Sequence, residues 1–366
     1  MHTVTALWYT RCPVATASSI AIDLGWLDEE FAPDGITVSS LGASASDDVH
    51  RSHFDHRHPS SFRQGGNVPA IWARAQGQDV RLLGATWGER FQALVALPES
   101  GIRSAADLTG RRLPLQRRLH DQVDFRRATS LRAYETVLGS AGIPLADVKL
   151  VDLPVTETYI GDLGGGRSGT LFGPRKLRRL QAAEVFALIR GEVDAIYVSG
   201  ALGIELAALL DATVVADITG YDAAQQVNNI TPTLLTVSGE LLRDRPDLVT
   251  RYVAVLLRAA RWARSHAEQT RRIIAHEVGA IEEWIPAAHG AEVHRDLTPS
   301  LDPALLAAVA AQQQFLLGHG FITSEFEVAR WAAPEILASA ARLAGAADHP
   351  AEGEDDHDAR WAAAGR

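Results

Sequence analysis

Short β-like runs alternate with stretches of helical periodicity along much of this chain, and that alternation restricts its fold more than any other feature. "VTALWY" (4–9) reads as a strand, and Pro13 to Leu24 as a helix ending at Gly25. "ITVSSLG" (36–42) is a second strand, and "VPAIWARAQG" (68–77) is a helix closed by Gly77. "VRLLGAT" (80–86) and "FQALVAL" (91–97) are further strands. A chain written this way lays helices on the faces of a sheet, the α/β class.

At Pro98 the texture changes. Ser104 and Asp107 make a Ser-x-x-Asp helix start, and "DLTGRRL" leads into another strand. Residues 129–142 read as a helix, "VKLVDL" (148–153) as a strand, and 181–199 as a helix, a Gly turn and a strand. From about Asn229 the pattern turns helical. At 366 residues the chain is long for a single core. The expected layout is out and back: residues 1–97 with 231–346 form a first lobe and 98–230 a second. The acidic stretch 347–366 is expected to be a disordered tail.

Composition removes several function classes. The net charge of −10 argues against nucleic acid, whose phosphates call for a basic face. Residues 348–366 hold six acids against two arginines, so −6 remains on the body. No run approaches the roughly 18 apolar residues of a membrane span. One cysteine excludes an intramolecular disulfide. "MHTVTALWYT" has no basic n-region, apolar h-region or cleavage site, so the expected setting is cytoplasmic. A monomer acting on a small molecule, with no membrane or nucleic-acid partner, fits these bounds.

The single cysteine, Cys12 in "YTRCPVATA", has two readings. Lone cysteines are commonly small buried hydrophobes. Here, however, a strand ends near Tyr9 or Thr10, and Pro13 suits the first helical position, which puts Cys12 at a helix cap. Free N–H groups and the positive dipole end favour a thiolate there. Ligands of open α/β sheets also bind where strands end.

Four histidines follow, His50, His53, His56 and His58, with Asp47, Asp48 and Asp55 nearby. Their spacing matches no zinc signature, and no HExxH or CxxC occurs, so no metal is expected. A histidine beside Cys12 would supply the base or orienting partner that thiol chemistry needs. A solvated polar loop is the competing reading and is the one expected for His50. In "FRQGG" (62–66), Arg63 precedes two glycines just ahead of a helix, a cradle for an anion. G-x-x-x-x-G-R-S at 161–168 is near a phosphate-binding loop, but Arg replaces the lysine and no clean strand-to-helix passage surrounds it. That Gly-rich run reads as a mobile segment over a cleft.

Taken in order, "YTRCPVATA" and "SHFDHRHPSSFRQGG" resemble the active-site signature of the aromatic sulfinate desulfinases. "DLTGRR", "GEVDAIY", "RPDLV", "WARSHA", "QQQFLL" and "WAAPE" extend the resemblance over nearly the whole chain. It implies the type II periplasmic-binding-protein-like fold, two α/β lobes with a cleft between them. It implies a catalytic cysteine at Cys12, a histidine at His53, a sulfinate-binding arginine at Arg63 and a backbone-donor glycine at Gly66. Gly65, Phe62, Arg11, His56 and His58 are the further expected substrate-binding residues. The implied reaction hydrolyses the carbon–sulfur bond of an aryl sulfinate and releases sulfite, with no cofactor. Arg11, His56, His58 and a short, basic 113–130 segment depart from the family pattern, so the expected substrate is 2'-hydroxybiphenyl-2-sulfinate or a related sulfinate, with a smaller or more polar aryl or alkyl sulfinate as the alternative.

Sequence leaves open whether Cys12 protonates the ring carbon or attacks sulfur. The alternative function is a non-catalytic binding protein for a sulfonate-like anion, serving an ABC-type uptake system on the same fold. Thiamin-pyrimidine synthases share the fold too, but their cysteine-rich motif is missing.

Overall fold

The computed structural model describes residues 4–88, 91–160 and 174–346. The Gly-rich run at 161–173 and the acidic stretch 347–366 lie outside the described residues, as do the expectations attached to them.

Ten strands organise the described chain. Five make the first sheet, in the order β2 (Thr37–Ser40), β1 (Ala6–Arg11), β3 (Ser61–Gly65), β10 (Thr233–Ser238), β4 (Val80–Thr86). β1 runs parallel to both β2 and β3, whereas β10 returns antiparallel between β3 and β4. A second sheet has the order β8 (Ile196–Ser199), β5 (Gln92–Ala96), β9 (Thr213–Asp217). Beside it β6 (Arg112–Arg118) and β7 (Lys149–Val155) pair in parallel. The chain therefore leaves the first sheet after β4, builds a second lobe, and comes back as β10. This is the mixed α/β, two-lobed architecture expected.

The passage between lobes falls earlier than Pro98. β5 pairs antiparallel with β8 and β9, so 91–97 belongs to the second lobe. A run of buried apolar residues carries no signal of which sheet it will join; only pairing decides that.

Two elements were not legible as such. Asp47–Asp55 is a helix, with Asp47 and Asp48 in its first turn where carboxylates complement the dipole. It stops at His56, which takes a left-handed conformation (φ 55°). "SFRQG" (61–65) is a fully buried central strand rather than a loop.

Strand alternation divides the site from the core. One face of the first sheet buries Leu7, Phe62, Leu235 and Val237 against Ile20, Phe31, Tyr252 and Leu256. The rings of Phe62 and Tyr252 stack at 3.7 Å. A second core gathers Phe54, Val68, Ile71 and Leu82 with Leu94, Leu115 and Tyr134 of the second lobe. That continuous apolar seam ties the two lobes together.

Candidate active site

The site lies where β1 and β3 end side by side, with Thr10 opposite Arg63 and Arg11 opposite Gln64. Cys12 extends the ladder by one residue, its N–H donating to the Gln64 carbonyl at 3.0 Å. The chain then turns through Pro13, and the helix Ala17–Asp23 starts only after Thr16, whose side chain caps it by accepting from the Ser19 N–H. Cys12 is thus not at the cap of that helix, contrary to expectation. Proline tolerates a turn as readily as a first helical position, and Thr16 supplies the stronger cap signal.

The helix terminus that reaches the thiol is a different one. Gly66 is the N-cap of the helix Asn67–Ala75, and its N–H points at Cys12 Sγ over 3.5 Å. Gly65 is needed for sheer closeness: a Cβ there would lie 2.4 Å from Sγ. The "FRQGG" run, expected as an anion cradle, is therefore folded around the cysteine itself.

Arg63 sits under the sulfur, 2% exposed. Its Nε donates to the His53 carbonyl and Nη1 to the Gly66 carbonyl, both at 2.8 Å. The remaining edge, Nη2, lies 3.7 Å from Sγ. Two backbone carbonyls hold the planar fork in place while its charge stays available to an anion.

His53 comes from the helix Asp47–Asp55 and is buried. Nδ1 bonds the Thr10 hydroxyl at 2.7 Å, and Nε2 lies 3.7 Å from Sγ. Burial, then the charge of Arg63 and the proximity of His56, push its pKa well below the ordinary 6.5. The imidazole is held neutral, with one nitrogen oriented by Thr10 and the other turned to sulfur.

The other expected binding residues are elsewhere. Arg11 points to the opposite face of the sheet, 3% exposed, and forms a two-point ion pair with Glu277 (Nε–Oε1 2.7 Å, Nη2–Oε2 2.8 Å). Phe62 shares that face and is core. Alternation explains both, because neighbours of Cys12 and Arg63 along a strand must point away from them. His56 lies behind Arg63, with Nε2 3.3 Å from the Thr236 hydroxyl; burial takes its pKa to about 3. His58 packs against Trp8, toward the other end of β1. His50 is buried on its helix, its Nε2 2.8 Å from the Ser44 carbonyl, and is no part of a solvated loop. Among the described residues no three His, Cys, Asp or Glu side chains gather as a metal would require.

Cys12 opens onto a cavity of about 840 Å³ of empty space, its mouth included. Val14 and Val278 line it from the first lobe, Phe125, Arg126 and Leu180 from the second, and Asn229 from the returning crossover. Asn229 accepts from the Val68 N–H at 3.0 Å and packs against Gly66. Sequence reasoning missed Thr10, Asn229 and Arg126. Thr10 was findable, since it stands two residues before Cys12 on the same strand face. Asn229 was not, because nothing local in "VNNITPT" tells of a partner 163 positions away.

Comparison with known proteins bears on this arrangement. The family model described as NMT1/THI5 like matches residues 31–163. Over 351 residues the chain is 29% identical to 2'-hydroxybiphenyl-2-sulfinate desulfinase of Rhodococcus erythropolis, covering 90% of this chain and 92% of that protein. A crystal structure of a cysteine-to-serine mutant of DSZB in complex with biphenyl-2-sulfinic acid superposes with a TM-score of 0.72 at 26% identity. That match covers 92% of this chain and 99% of the other. The periplasmic aliphatic sulphonate binding protein SsuA from Escherichia coli superposes with a TM-score of 0.61 at 15% identity, over 90% and 92% of the two chains. That last likeness shows the fold alone.

Proposed function

We infer that this chain is an aromatic sulfinate desulfinase, cleaving the carbon–sulfur bond of an aryl sulfinate and releasing sulfite. One observation carries the reading: the Gly66 N–H, Arg63 Nη2 and His53 Nε2 converge on the lone thiol at the wall of a largely apolar cavity. The sequence likeness to a desulfinase over nine-tenths of the chain supports it.

The reaction replaces a carbon–sulfur bond by a carbon–hydrogen bond and consumes one water: ArSO2⁻ and H2O give ArH and HSO3⁻. The sulfinate oxygens suit Arg63 and the Gly66 N–H, which also face charge developing on them. The ring suits the apolar walls. In one route Sγ gives its proton to the ring carbon as the bond breaks, and sulfur leaves as SO2. Water hydrates SO2 to hydrogen sulfite, and the proton so released restores the thiol. In the other route neutral His53 takes the thiol proton and the thiolate captures the sulfur while that proton passes to carbon. Water then frees hydrogen sulfite and regenerates the thiol. Both routes pass through a thiolate, and the same three neighbours stabilise it.

A passive binder of sulfonate-like anions would use the Arg63 cradle equally well. It would have no need of a thiol so close that residue 65 must lack a side chain, nor of a neutral imidazole turned to that thiol. Cys12→Ser separates the readings. We expect sulfite release to vanish while the affinity for an aryl sulfinate, measured by calorimetry, is nearly retained. Arg63→Ala should weaken affinity and turnover together. Full sulfite release by Cys12→Ser would reject the assignment.

A further inference from the structure

Across the cavity from Cys12 stands a second arginine with a buried donor that no acceptor meets. Arg126 lies in the first turn of the helix Phe125–Ser140 and is the only charged side chain among the described residues lining the cavity. Its Nε is buried and has no hydrogen-bond partner. Its nearest counter-charge is Glu184, whose Oε1 is 3.8 Å from Nη2, too long for a hydrogen bond. Glu184 is itself turned to another partner, accepting from the Gln116 amide.

The neighbouring polar groups differ. The Thr129 hydroxyl donates to the Phe125 carbonyl at 2.6 Å, and the Gln181 amide to the Tyr197 carbonyl at 3.1 Å. Two other arginines of this segment hold closer ion pairs, Arg118 with Asp121 at 2.9 Å and Arg127 with Asp152 at 2.7 Å. Of these three arginines only Arg126 lines the cavity. A buried guanidinium donor without an acceptor costs free energy that an incoming acceptor returns.

We propose that Arg126 recognises an acidic substituent on the substrate, so that the preferred aryl sulfinate carries a second anionic group, a carboxylate or another oxyanion, on the part of the molecule remote from its sulfinate. The proposal rests on the desulfinase reading and deepens it. Arg63 takes the sulfinate in the first lobe, Arg126 the second acid in the other lobe, and the apolar walls the ring between them. A substrate so held bridges both lobes, which fixes the ring carbon over Sγ as well as adding affinity.

The test compares biphenyl-2-sulfinate and benzenesulfinate with their carboxylated derivatives. Sulfite release should give a higher kcat/KM for a carboxylated member than for its parent. Arg126→Gln should lower that ratio about tenfold to a hundredfold, the range of a hydrogen bond to a charged group. Arg126→Lys, which keeps the charge but loses the fork, should retain part of it and covers the case that Arg126→Gln folds poorly beside Glu184. Equal kcat/KM for acidic and parent substrates, or an equal loss on both in Arg126→Gln, overturns the proposal and leaves the desulfinase reading standing. Should no sulfinate be turned over, the affinities of the same pairs for the Cys12→Ser protein decide: a carboxylate preference removed by Arg126→Gln upholds the second site, and no preference rejects it.

Discussion

Gly65→Ala puts the proposed chemistry under the most local strain the structure allows. The added Cβ would lie 2.4 Å from Cys12 Sγ, 2.9 Å from Cys12 Cβ and 3.1 Å from the Cys12 nitrogen. Comfortable non-bonded separations are about 3.5–4.0 Å, so the sulfur must retreat by roughly 1 Å or more. Turning Sγ to another rotamer does not relieve the contacts to Cβ and N, so the backbone after β1 has to move as well. Overpacking of this kind costs about 1–3 kcal/mol of stability. The larger effect falls on the reaction. Sγ now stands 3.5 Å from the Gly66 nitrogen and 3.7 Å from both Arg63 Nη2 and His53 Nε2, and displacement takes it out of reach of some of them. A misplacement of about 1 Å at a reacting atom costs on the order of a hundredfold in rate. Initial rates of sulfite release, with calorimetric affinity and a thermal melt on the same preparation, read the outcome. We expect kcat to fall about a hundredfold while affinity changes far less, because Arg63 is held by carbonyls the substitution does not touch. A folded Gly65→Ala protein with wild-type kcat would refute the claim that Sγ works in this position.

Two further outcomes concern stability. Glu277→Gln leaves the Arg11 charge buried and should destabilise the protein by about 3–5 kcal/mol in denaturant titration, while Arg11→Met combined with Glu277→Leu should recover much of the loss; an unchanged midpoint for Glu277→Gln would contradict a structural role for Arg11. Burial lowers His56 to about 3 and His289 to about 4 from the ordinary 6.5, so both stay neutral in the fold when the unfolded chain already takes up protons. Their stability contribution is complete above pH 6.5 and is lost as pH falls toward those lower values. At pH 5 the two together should cost about 4 kcal/mol relative to pH 7.5, with His53 adding to the loss. Chemical unfolding at the two pH values measures it, and equal stabilities would show that these rings are not held neutral.

Much of the site was readable because its parts are local in sequence. Cys12 follows a strand, and Arg63 with Gly65 and Gly66 precedes a helix, so turn chemistry and spacing exposed them. Errors came from side-chain direction. Arg11 and Phe62 sit next to site residues in sequence, yet a strand's two-residue period sends them to the opposite face, where Glu277 and Tyr252 receive them. Recognising that demanded seeing "SFRQG" as a strand, and an Arg-Gln-Gly run carries little β signal of its own. The histidine helix was hidden for a related reason: "DDVHRSHFD" has few apolar residues with which to show a period. Arg126 and Asn229 reach the cavity only through the pairing of distant segments, as β5 reaches the second sheet.

The central claim is that this cavity breaks a carbon–sulfur bond, and product analysis in D2O tests it most directly. Incubated with an aryl sulfinate, the protein should release sulfite and desulfinated arene in equal amounts, with deuterium at the carbon that held sulfur. A sulfinate that binds tightly and is recovered whole would contradict the account.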